Sequence, residues 1–73
     1  MYKRIRALRE DRDLTQSDLA KQLNISQRAY SHYETGKRSI PIEILSNIAD
    51  LYETSTDYLL ERTDEKRAYK KKK

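Results

Sequence analysis

Seventy-three residues leave room for one domain, small enough to be marginally stable alone. One Gly, one Pro and a helix-favouring residue mix predict an all-α fold, and zero Cys excludes a disulfide framework or a thiolate metal site and fits a reducing cytoplasm. The net charge of +4 comes without an apolar run long enough for a signal peptide or membrane span, so a soluble cytoplasmic chain with no membrane partner is expected.

The first helix is predicted over residues 2–12, with Ile5 and Leu8 inward, Arg4, Arg6 and Arg12 available outside, and Asp13 closing it before Leu14 enters the core. Arg9 lies beside the inner stripe, an odd place for a charge. Thr15 is a good N-cap for a second helix, with Asp18 completing a weaker form of the capping box. Leu19, Ala20 and Leu23 form its inward stripe, and Asn24, tolerant of positive φ, lets the chain reverse. Ser26 caps a third helix, with Ile25, Ala29, Tyr30 and Tyr33 facing inward and Gly36 ending it.

Pro41 suits the first position of a fourth helix, whose apolar face is Ile44, Leu45, Ile48, Ala49 and Tyr52. After a turn at 53–55, Thr54 or Ser55 caps a fifth helix, Thr56 to about Arg62, and Leu59 or Leu60 seals the core. The chain thus divides into a domain at 1–62 and a basic tail at 63–73 that ends in four lysines and reads as disordered. Charge is unevenly spread. Residues 1–38 carry nine Lys/Arg against five acids, 39–62 carry one against five, and 63–73 carry six against two. The basic half contains the third helix, a polarity that fits one face turned to a polyanion.

Gln27, Arg28, Ser31, His32 and Thr35 fall on the outer face of the third helix. Such a row suits a helix reading base edges in a major groove, where Gln can pair bidentately with adenine and Arg with guanine. It also describes a solvated face in any small bundle. Catalysis finds no support: there is one His, no Gly-rich phosphate loop and no carboxylate pair on an apolar wall, so no enzyme is expected. His32 lacks a second ligand at i+3 or i+4, so neither a metal nor a cofactor is expected.

The ordered pieces LRE at 8–10, LTQ at 14–16, DLA at 18–20, NIS at 24–26, YETGKR at 33–38 and STDYLL at 55–60 resemble the helix-turn-helix of the Xre/Cro/phage-repressor family. The resemblance covers about residues 3 to 60. It departs from the family at Asn24, where glycine is common, and at Tyr30, where an aliphatic residue is usual and packing should differ. The resemblance implies a five-helix bundle of the lambda-repressor type, its helix-turn-helix made by the second and third helices. It implies a sequence-specific transcriptional regulator, a repressor, whose helix from about Ser26 to Thr35 reads the major groove. Gln27, Arg28, Ser31 and His32 would be the base readers, and Gln16, Ser26, Lys37 and Arg38 the phosphate contacts. Arg9 and Glu34 would form a partly buried structural ion pair. The implied partner is double-stranded DNA with a palindromic operator, bound by a homodimer joined near Tyr58–Leu60. The alternative is a protein-interaction module such as the antitoxin of a toxin–antitoxin pair, with a protein partner the sequence does not identify.

Overall fold

A computed structural model describes residues 2–67 as five helices, with no strand among them: α1 (Lys3–Asp11), α2 (Gln16–Leu23), α3 (Gln27–Thr35), α4 (Ile42–Leu51) and α5 (Thr56–Leu59). The helices start on side-chain caps where the sequence offers them. Thr15 and Asp18 make a full reciprocal capping box: the Asp18 N–H donates to Thr15 Oγ1 at 3.0 Å and the Thr15 N–H to Asp18 Oδ2 at 2.8 Å. Ser26 accepts from the Ala29 N–H at 3.0 Å, and Ser55 from the Tyr58 N–H at 3.0 Å. Pro41 stands one position earlier than predicted. It is the N-cap of α4, with extended ψ of 145°, and Ile42 is the first helical residue.

The helix ends share one device. Asp13, Asn24, Glu53 and Glu61 all take left-handed φ, between 53° and 60°. The next residue then donates back five positions: Leu14 to Arg9 O, Ile25 to Ala20 O, Thr54 to Ala49 O and Arg62 to Asp57 O, at 2.8–3.1 Å. These are Schellman-type closures that satisfy the last carbonyls, at a cost of about 1–2 kcal/mol for each non-glycine residue so placed. Glu61 stops α5 at Leu59, three residues short of the predicted Arg62. Only Gly36, at φ 85°, fills the left-handed position without that cost.

The core is one cluster drawn from all five helices: Ile5 and Leu8, Leu19, Ala20 and Leu23, Tyr30, Ile48, Ala49 and Tyr52, and Leu59. Burying each large member contributes about 1.5–3 kcal/mol. Leu14, Ile25, Ile44 and Leu45 pack around it half-buried. Leu59, not Leu60, is the seal, at 1 % against 39 % exposure.

Two arginines assigned to the free surface are instead engaged. The Arg4 guanidinium sits 4.2 Å from the Tyr58 ring centre and donates to Tyr58 O, to Thr63 O and to Asp64 Oδ1. Arg12 lies over the Tyr52 ring at 5.1 Å and reaches Leu51 O. Arg6 is exposed and pairs with Glu10. The residues just past the fifth helix are also held, because Thr54 Oγ1 donates to Lys66 O as well. The predicted disordered tail thus begins with a segment tied to α1 and the α4–α5 turn. Its last six residues, including the lysine run, lie outside the described residues.

Candidate nucleic-acid interface

The α2–α3 unit is set by the reversal at Asn24, where φ 57° and ψ 44° turn the chain in place. Its anchor is Glu34, a carboxylate only 3 % exposed. Arg9 donates to it twice, from Nε at 2.9 Å and from a terminal nitrogen at 3.3 Å. Gln16 Nε2 and Tyr30 Oη each donate at 2.9 Å. Arg9 spends a further N–H on Leu14 O at 2.8 Å. Burial alone would push the Glu34 carboxyl up, but the bonds from Arg9, Gln16 and Tyr30 outweigh it and hold the group below its usual range. Through these contacts one residue of α3 fixes α1, the start of α2 and α3 itself. The departure at Tyr30 now has a structural consequence: the ring is fully buried and its hydroxyl serves Glu34.

The opposite face of α3 is open. Gln27 and Arg28 are exposed, Ser31 and His32 half-exposed, and Lys37 and Arg38 project from the loop beyond Gly36. None of the Arg28, Lys37 and Arg38 side chains has an ion-pair partner among the described residues. The Arg38 N–H donates to His32 O at 3.2 Å and folds the loop back against α3. Ser26, Arg28, Ala29, His32 and Arg38 line one shallow hollow of about 130 Å³, well below the size of an ordinary small-molecule pocket. The His32 imidazole is held below its usual range, first by partial withdrawal from water and then by Arg38, Lys37 and Arg28.

The structure sorts the residues singled out in the sequence. Gln27, Arg28, Ser31 and His32 share the outer face of α3, with Lys37 and Arg38 at its rim. Thr35 belongs to that face by spacing, but its hydroxyl donates to Ser31 O at 2.8 Å and is turned onto its own helix. Gln16 is not a free side chain at the helix start: one amide N–H is committed to Glu34, leaving the other N–H and the carbonyl. Ser26 spends a lone pair on capping and keeps its O–H as a donor. Arg9 and Glu34 are paired at 2.9 Å. Sequence reasoning missed the Gln16 and Tyr30 links to Glu34. The only available signal was that a buried carboxylate needs more partners than one arginine. Among the described residues no group of His, Asp or Glu side chains could hold a metal ion, and no helix is long and apolar enough to cross a membrane.

Two capped helices locked at a fixed angle, the second offering a polar row flanked by uncompensated cations, define a helix-turn-helix domain. The chain belongs to the helix-turn-helix family, whose model matches residues 5–59. Among similar proteins of Bacillus subtilis (strain 168) is the uncharacterized HTH-type transcriptional regulator YobD, 38 % identical over 66 residues, which are 89 % of this chain and 59 % of that protein. The HTH-type transcriptional regulator ImmR is 38 % identical over 58 residues, 80 % of this chain and 46 % of its own length. The HTH-type transcriptional regulator AnsR is 35 % identical over 63 residues, 86 % and 54 % respectively. The chain spans about half the length of the curated relatives it matches.

Proposed function

We propose that this chain is a sequence-specific DNA-binding transcriptional regulator, acting as a repressor in the cytoplasm, with α3 laid in the major groove. The observation that carries the reading is the outer face of α3. Four hydrogen-bonding side chains stand there, and Arg28 among them and Lys37 and Arg38 at the rim are cations that no carboxylate pairs with among the described residues. Gln27, Arg28, Ser31 and His32 contact base edges. Lys37 and Arg38, the Ser26 hydroxyl and the remaining Gln16 amide hydrogen hold phosphates and fix register. The regulators to which the chain is similar support the same reading.

One such helix covers only a few base pairs, so the active form is a homodimer on a palindromic operator with half-sites about 34 Å apart. The interface expected near Tyr58–Leu60 is narrower than the sequence implied, because Arg4 covers Tyr58 and leaves Leu60 as the exposed apolar contact there. Selection of bound sites from random duplex DNA tests the function, and sedimentation of the chain with the selected duplex tests the symmetry. Enrichment of an inverted repeat bound by two chains is the expected result. No enrichment, or a monomer on a non-repeated site, contradicts regulator or dimer respectively.

A further inference from the structure

The spacing of α3 puts Ala29 on the inward stripe, but its side chain stands half-buried outside the core cluster and lines the hollow beside Arg28 and His32 instead. Ala29 lies one turn after Ser26 and one turn before His32, so these three form a row along the helix, with Arg28 next to it. The Arg38 loop closes the far side, held by its N–H bond to His32 O at 3.2 Å. Of the five lining residues only Ala29 is apolar, and the others bring hydroxyl, guanidinium and imidazole groups. The hollow of about 130 Å³ is a little smaller than a cavity of about 150 Å³ that takes a whole benzene ring. It therefore has room for a methyl group and the edge of the ring that bears it.

An apolar floor in a polar face is matched by an apolar group on the surface that docks against it. Among the groups that base pairs present in the major groove, the C5-methyl of thymine is the apolar one, and 5-methylcytosine carries the same group at the same ring carbon. We propose that this hollow is a subsite for the C5-methyl group of a pyrimidine, with Ala29 as its floor. The chain thereby distinguishes a methylated pyrimidine from its unmethylated counterpart at one position of the operator. Arg28 forms one wall, so that position adjoins the base pair onto which Arg28 forks. The inference rests on the proposed DNA reading and adds sensitivity to cytosine methylation, since a cytosine at that position is bound more tightly once methylated.

The test removes or adds one methyl at a time. In the selected duplex each thymine is replaced in turn by uracil and each cytosine by 5-methylcytosine, and affinity is measured at fixed salt. At one position, next to the base pair whose preference Arg28→Ala relaxes, the methylated pyrimidine should be bound about fourfold more tightly than its unmethylated counterpart. Placing thymine, uracil, 5-methylcytosine and cytosine there, each with its pairing base, separates the two sources of the methyl: both methylated bases should gain the same factor. Ala29→Gly should lose that factor in both comparisons. Ala29→Val, which fills the hollow and keeps a side chain on the helix, should lose it too, and melting of both variants without DNA separates a lost contact from a lost fold. If no methyl at any position changes the affinity, the proposal is overturned while the DNA reading stands. A methyl effect that persists undiminished in Ala29→Gly and Ala29→Val also overturns it, because the methyl then acts through the shape of the duplex. If selection enriches no duplex, the DNA reading fails and this inference falls with it.

Discussion

Replacing Glu34 by Ala should cost more stability than its place one turn from the surface loop suggests. The substitution removes the acceptor of four hydrogen bonds at 2.9–3.3 Å. The Arg9 side chain, 13 % exposed, keeps only Leu14 O, and the buried Tyr30 hydroxyl keeps nothing. Breaking a buried pair by removing one partner costs about 3–5 kcal/mol, against about 4–11 kcal/mol for the whole stability of a domain this size. At about 4–8 °C per kcal/mol, the melting temperature should drop by more than about 12 °C. Arg6→Ala is the control, because the Arg6–Glu10 pair is half-exposed on both sides and should be worth about 0.3–0.5 kcal/mol. Urea unfolding followed by circular dichroism gives both numbers if the slope with denaturant is unchanged. Acid supplies an independent check. The folded carboxyl titrates below the usual 4.5, so its stabilisation is complete above that value and is lost as pH falls through the lower folded one. The gap between wild type and Glu34→Ala should therefore narrow below about pH 4. A loss within about 1 kcal/mol of Arg6→Ala at neutral pH would refute the network's structural role.

Tyr52 and Arg4 give two further tests. Tyr52 is 3 % exposed, its hydroxyl is buried with no hydrogen-bond partner among the described residues, and burial pushes that hydroxyl up to about 12. Tyr52→Phe should stabilise the fold by about 1 kcal/mol, and a loss of that size would mean the hydroxyl is bonded. Arg4→Ala should release the segment after α5, seen as faster tryptic cleavage at Arg62, Lys66 and Arg67 than in Arg6→Ala. Equal rates in the two variants would show that Arg4 does not hold it.

Local chemistry was the legible part of this sequence. Thr15, Ser26 and Ser55 cap because hydroxyls satisfy helix N–H groups wherever they stand, and Asn24 turns because its side chain tolerates left-handed backbone. The other left-handed ends were not legible at Glu53 and Glu61, because Glu has no special preference for that conformation and the closure is imposed by packing. Arg4 and Arg12 looked free because their partners, Tyr58 and Tyr52, are more than thirty residues away in sequence and meet them only in the bundle. At the interface, spacing placed Gln27, Arg28, Ser31 and His32 on one face. Spacing could not tell that Thr35 turns onto its own helix or that Gln16 is half committed to Glu34.

The central claim is that α3 reads sequence, and Arg28→Ala tests it most directly. Affinity is measured for the selected operator and for a scrambled duplex of equal length, at two or more salt concentrations. If Arg28 forks onto a guanine, the substitution should cost about 1–3 kcal/mol on the operator and relax the preference at one base position. The scrambled duplex should be little affected, because non-specific binding sums over many phosphate contacts. Equal weakening of both duplexes would make Arg28 a phosphate clamp. A wild-type chain that binds operator and scrambled DNA alike would contradict the claim outright.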